Sequence, residues 1–252
     1  MLSKFLRATA FVLMVILTLN PLGTAMASTT DYTPSQDEWD MTYADLLRLY
    51  VSCIHSWIGG GYADHDLFNT LLVEDFMSYD QALTLAGFVL TDVNEDGIDD
   101  LLIVSSEDEV VGLFTMVNGK LREVIAGGYR NHCSLLNDGS FYFQGSSGYM
   151  EASYSIWDLE TSGELRFNSG CILDGWFGME EPAEEQWFGY DPASPYSGAE
   201  DRRITATEAY NWKETAGSRI LLINNWTTFA EYEEWGCPDN LTFVPFSQLG
   251  WI

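Results

Sequence analysis

Residues 92–100 read Asp-Val-Asn-Glu-Asp-Gly-Ile-Asp-Asp, between the apolar runs GFVLT (87–91) and LLIVSS (101–106). Four aspartates and a glutamate this close repel one another, and no regular helix or strand runs through them. The runs on either side are short and β-branched, so the stretch is a bend between two strands. The acids need a counter-ion. Asp92, Asn94, Asp96 and Asp100 place side-chain oxygens at the spacing by which a chain curls around Ca²⁺. Gly97 allows the sharp turn, and Ile98 offers its carbonyl. Ca²⁺ is a hard cation taking six to eight oxygens, about the number available if Asp100 binds through both of its own. Glu95 and Asp99 fall between the ligands and are expected to face solvent.

This loop is not an EF-hand. Where that loop closes with a bidentate glutamate this chain has Ile103, and the flanks are strand-like. The aspartate at 100 followed by LLIV resembles the D-x-D-x-D-G-x-x-D-L loop of FG-GAP and VCBS-type β-repeats, which joins two strands. Asn94 replaces the commoner aspartate and lowers the ligand charge by one. The wider layout also resembles a group of uncharacterised exported proteins and lipoproteins of Gram-positive gut bacteria. The matching stretches are TDVNEDGIDDLLI, GGYRN, NDGSFYFQGSSGY, RITATEAYNWKE and NNWTTF. This chain has no lipobox, and it has aspartate at 100 where many of that group have glutamate. The resemblance implies secretion and a calcium loop, and no known activity.

The N-terminus agrees with export. Lys4 and Arg7 precede the apolar run AFVLMVILTL, which Pro21 and Gly23 break, and Ala25-Met26-Ala27 follows. That is the pattern of a signal peptide over 1–27, cleaved before Ser28. The apolar run is too short to span a bilayer, and no later segment is apolar enough, so no membrane span is expected after cleavage. The expected location is extracellular or in the cell envelope. A formal net charge of −27 argues against nucleic acid and anionic membranes as partners, since both require cationic patches. With 46% hydrophobic residues the chain can bury a sizeable core. Cys53, Cys133, Cys171 and Cys237 fit no short metal motif; in an exported protein an even number of cysteines favours disulfides, whose pairing spacing does not choose.

Residues 28–34 read as a flexible leader and 35–252 as one α+β domain: helical over 35–80, an antiparallel β-meander over 85–170, and loop-rich with a short helix over 171–252. Ser35 and Glu38 form a capping-box pattern. After it, Trp39, Tyr43, Leu46, Leu47, Tyr50, Val51, Ile54 and Ile58 recur at helical steps until Gly59–Gly61. A second helix is expected from Asp64 or Asp66, with Leu67, Phe68, Leu71, Leu72 and Phe76 on one face. Asn118-Gly119, Asp138-Gly139 and residues 161–163 read as hairpin turns, giving a meander with one wet and one buried face. QWFGY (186–190) reads as an edge strand, 206–215 as a helix capped by Thr205, and Trp226, Trp235 and Trp251 as packing back on the core.

Catalytic signals are sparse. No G-x-S-x-G, H-E-x-x-H, C-x-x-C or phosphate loop is present. The histidines are His55, His65 and His132. Asp64-His65-Asp66 suits a helix start better than a metal. His132 and Cys133 are neighbours on a strand, so their side chains diverge. Trp176, Phe177, Trp187, Phe188, Tyr190 and Tyr196 are either an exposed platform for glycan or protein or a satellite core; burial is the favoured reading. The expected function is that of a secreted calcium-binding domain, non-catalytic, that binds an extracellular or cell-envelope ligand, glycan or protein. The alternative is a secreted hydrolase of glycan or peptide with a structural calcium.

Overall fold

Antiparallel pairing sorts the strands into two sheets of six. The computed structural model describes residues 38–58, 79–126, 131–146, 151–174, 186–189 and 202–250. The first sheet holds β1 (Glu38–Trp39), β2 (Gly87–Thr91), β3 (Asp100–Ser106), β4 (Glu109–Val117), β5 (Lys120–Ala126) and β12 (Thr227–Thr228), in the order β1-β5-β4-β3-β2-β12. The second holds β6 (Asn131–Leu135), β7 (Phe141–Ser146), β8 (Glu151–Leu159), β9 (Leu165–Asp174), β10 (Gln186–Gly189) and β11 (Arg202–Ile204), in sequence order. The fold is thus α+β and antiparallel, with the meander divided between two sheets. QWFG is not the edge, because β10 pairs with both β9 and β11.

Among the described residues four α-helices flank the sheets: α1 (Tyr43–Ile58), α2 (Tyr79–Leu85), α3 (Ala206–Gly217) and α4 (Phe229–Glu234). The outer face of the first sheet packs Phe88, Leu101, Ile103 and Phe114 against Leu46, Tyr50 and Ile54 of α1 and against Phe229 and Tyr232 of α4. Its inner face packs Val89, Leu102, Val104 and Leu113 against Cys133, Leu135 and Phe141 of the second sheet. The second sheet's far face lies under α3, where Tyr142 and Ile156 meet Ala216, and Trp187 meets Ala209. All five residues of β2 are therefore buried, and the expected wet face does not exist there. Shifts of register at Ile103/Val104 and Leu113/Phe114 break strict alternation. They let Val111 and Phe114 face the helices while Val110 and Leu113 face the other sheet.

Local chemistry explains most boundaries. The α1 capping box is not Ser35–Glu38: the Asp45 amide donates to Thr42 Oγ1 at 3.2 Å, and Asp45 Oδ2 accepts from the Thr42 amide at 3.0 Å. Glu38 instead lies in β1 opposite Arg122, whose guanidinium it meets at 2.9 Å. Thr205 caps α3 as expected, in a full box with Glu208. The three hairpins form, with φ of 54° and 78° at Asn118 and Gly119, 84° at Gly139 and 76° at Gly163. Gly87 is required because a Cβ there would run into the Thr227 carbonyl oxygen of β12. The second expected helix, the Asp64-His65-Asp66 triplet and Trp251 lie outside the described residues.

All four cysteines are free thiols, so the expected disulfides are not formed in this structure. Cys133 sits in the inter-sheet core and Cys171 beside Trp187, while Cys53 and Cys237 adjoin the helix-side core. Burial pushes the Cys53 and Cys133 thiols up, and that of Cys171 up to about 12. Trp226 is partly buried against the inter-sheet core, but Trp235 is 58% exposed and does not pack back. No helix among the described residues is long and apolar enough to cross a membrane.

Candidate metal centre

The loop between β2 and β3 is folded by its own acids. The Asp92 carboxylate accepts from the amides of Asp96 at 3.1 Å and Gly97 at 2.9 Å. Asn94 Oδ1 accepts from the Asp96 amide at 3.3 Å, and Asp96 Oδ1 from the Ile98 amide at 2.8 Å. The Asn94 amide group donates to Asp96 Oδ2 at 3.1 Å. Left-handed backbone at Glu95 (φ 57°) and Gly97 (φ 85°) makes the curl. Glu95 faces solvent as expected; Asp99 is half-buried, and its carbonyl accepts a hydrogen bond from the Tyr43 hydroxyl of α1.

Asp100 closes the loop from the first position of β3 and is 1% exposed. Its Oδ2 accepts from the Val93 amide at 3.0 Å; its Oδ1 is buried with no hydrogen bond of good geometry, and the Thr115 hydroxyl lies near the carboxylate. Burial pushes its carboxyl up to about 7, against the pull of the Thr115 hydroxyl and the Val93 amide; the charges of Asp96 and Asp92 add to the rise. Burial also raises Asp99, helped by Asp92. Tyr43 rises by burial and by the charges of Asp100, Asp99 and Asp96. The region is thus over-supplied with negative charge.

Asp92, Asn94 and Asp96 are linked to one another through the loop's hydrogen bonds, and Asp100 is tied to the same loop at Val93. The Ile98 side chain is exposed, leaving the backbone as its only ligand group. Among the described residues, no three His, Cys, Asp or Glu side chains stand gathered as a ready metal cage. The carboxylates lean on their own amides instead. The donor set nonetheless fits a hard cation: every candidate atom is oxygen, and the orphaned Asp100 Oδ1 is a buried acceptor of the kind a cation satisfies.

A second cluster lies where β4 meets β6. The His132 Nδ1 is 2.8 Å from Glu109 Oε1, and the Ser134 hydroxyl is 3.2 Å from His132 Nε2. Glu109 Oε2 accepts from the Ser105 hydroxyl. Cys133 indeed points the other way, into the inter-sheet core. Sequence reasoning missed Glu109 and Ser134. The available signal was His-x-Ser on a strand, where alternate residues share a face. His55 meets Glu233 at 2.7 Å. Of the aromatic group, Trp187 is buried, whereas Trp176, Phe177, Tyr190, Tyr196 and the Phe188 side chain lie outside the described residues.

Compared with known protein families, curated proteins and solved structures, the chain gives no match.

Proposed function

We propose that this is an exported domain that holds one Ca²⁺ in the loop 92–100 and binds an extracellular or cell-envelope ligand, glycan or protein. Asp92, Asn94, Asp96 and Asp100 would hold the ion with the Ile98 carbonyl. The observation that carries this reading is the buried, unpartnered Oδ1 of Asp100 at the closing position of an all-oxygen loop. A buried carboxylate oxygen without a partner is costly, and a divalent cation offsets that cost. The ion would supply charge neutralisation and lock the bend; its role is structural. Calorimetric titration of the metal-stripped protein is the test. A single calcium site at about 10⁻⁴–10⁻³ M or tighter, with much weaker Mg²⁺ binding, supports the reading, and equal affinity for the two ions overturns it.

A second reading, a secreted hydrolase with a structural calcium, is favoured by the Glu109–His132–Ser134 cluster.

A further inference from the structure

Where the edge strand β6 of the second sheet meets β4 of the first, three side chains stand in the order hydroxyl, imidazole, carboxylate. Ser134 Oγ lies 3.2 Å from His132 Nε2, and His132 Nδ1 lies 2.8 Å from Glu109 Oε1. Ser105 holds the other carboxylate oxygen. A carboxylate that accepts from Nδ1–H fixes the tautomer and leaves the Nε2 lone pair facing the serine. Such an arrangement is recognised by geometry and roles, whatever the fold or chain order.

We propose that Ser134, His132 and Glu109 form an acyl-transfer centre acting on small carboxylic esters, an inference that rests on the hydrolase reading. Ser134 Oγ attacks the ester carbon as its proton passes to His132 Nε2. The new Oγ–C bond replaces the ester C–O bond, and the departing alkoxide takes that proton from Nε2 and leaves as an alcohol. Water then attacks the acyl carbon and gives a proton to Nε2, which returns it to Oγ as the carboxylic acid departs. Glu109 touches neither substrate nor leaving group. It is a positioning residue that orients the ring and stabilises the imidazolium.

Access sets the size of the substrate. Ser134 is wholly buried, and the His132 side chain is 36% exposed. Residues 219–221 lie along the free edge of β6: the Asn137 amide donates to the Arg219 carbonyl at 2.9 Å, and the Leu221 amide to that of Leu135 at 2.8 Å, before the chain turns away and the Ile223 amide donates to the Glu107 carbonyl at 2.6 Å. Leu136 bridges Ile220 antiparallel. Leu222, next along this strap, is 45% exposed. The strap is also held by the Arg219–Asp138 ion pair. Ser134 meets an ester when the strap lifts.

The test is reaction of the full chain with a fluorophosphonate probe, with the adduct mapped by mass spectrometry on the unsubstituted protein, so that the result does not depend on a variant folding. The expected adduct is on Ser134. Its rate rises with pH as His132 deprotonates, increases in Arg219→Ala, and vanishes in Ser134→Ala. Glu109→Gln slows labelling by about tenfold or more and moves the pH midpoint down, because the imidazolium loses its carboxylate. A merely structural Glu109 would leave that midpoint in place. No adduct on Ser134 in either the unsubstituted chain or Arg219→Ala overturns the proposal. Aryl-acetate hydrolysis that persists in a folded Ser134→Ala protein overturns this centre while leaving the hydrolase reading; absence of both adduct and hydrolysis removes both.

Discussion

The Val93 amide donates to Asp100 Oδ2 at 3.0 Å, tying the second residue of the acidic loop to the residue that closes it. The same carboxylate keeps its other oxygen buried and unpartnered. One side chain thus joins the backbone of the bend to the site proposed for the ion, and substitutions around it separate metal binding from folding.

Asp100→Asn keeps the size of the side chain and removes its charge. The calcium-dependent rise in Tm is expected to disappear. At calcium tenfold above Kd that rise reflects about 1.4 kcal/mol, or roughly 3–5 °C for a domain of this size. In EDTA at pH 8 the variant is expected to be at least as stable as the parent, because a neutral amide avoids the burial of a charge. Thermal scans with and without calcium check both. A calcium shift retained in the variant would place the ion elsewhere.

The pH dependence follows from the same group. The Asp100 carboxyl is raised to about 7 in the metal-free fold, against an ordinary value near 3.8. Between those values the folded state holds a proton that the unfolded chain has lost. Stability from this group is therefore fully present below pH ~4 and declines as pH rises toward 7. In EDTA the unfolding free energy of the parent is expected to fall across that window more than that of Asp100→Asn. Calcium binding near pH 6 is expected to release about one proton, with an affinity that rises through pH 7. Urea titrations across pH, and calorimetry in two buffers of different ionisation enthalpy, read these effects.

Asp96→Ala tests the loop from its middle. Asp96 receives the Ile98 amide and the Asn94 side chain, and its own amide caps Asp92. Loss of the side chain is expected to abolish calcium binding while leaving the β2–β3 pairing intact. Calorimetry and circular dichroism on the same sample distinguish lost binding from lost fold.

The bend between β2 and β3 and the hairpins were legible because their signals are local. The acids and Gly97 mark one bend over residues 92–100, and Asn118-Gly119, Asp138-Gly139 and Gly163 announce left-handed backbone by residue type. The division into two sheets was not legible. It depends on packing that gathers Leu113 of β4 and Cys133 of β6 into one inter-sheet core, residues that no short window contains. The α1 cap was misplaced because Ser35–Glu38 and Thr42–Asp45 both fit the capping pattern, and the pairing of Glu38 with Arg122 on β5 decides between them. Half of the second cluster was readable, since His132 and Ser134 share a strand face. Glu109 comes from the other sheet. Trp235 shows that an aromatic side chain does not by itself report burial.

The cap on α3 is a simpler case. Thr205 Oγ1 accepts from the Glu208 amide at 3.1 Å, and Glu208 Oε2 accepts from the Thr205 amide at 2.8 Å. Thr205→Ala is expected to cost about 1 kcal/mol of stability with calcium affinity unchanged, measured by urea unfolding.

Gly139 couples the second sheet to the acidic loop. It sits in the β6–β7 hairpin at φ 84°, and a Cβ there would stand 2.6 Å from the Val93 carbonyl oxygen. Gly139→Ala therefore meets two penalties. A left-handed alanine costs roughly 1–2 kcal/mol, and the Val93 backbone must also move. Gly119, at φ 78° in the β4–β5 hairpin with open space around its Cβ position, meets only the first. Because the Val93 amide holds Asp100 Oδ2, a shifted Val93 disturbs the carboxylate proposed to close the calcium site. Gly119→Ala is expected to lower Tm and leave calcium affinity as it was. Gly139→Ala is expected to lower Tm further and to weaken calcium binding. Calorimetric titration of both variants checks the difference; equal affinities in the two would show that the hairpin and the loop are not coupled.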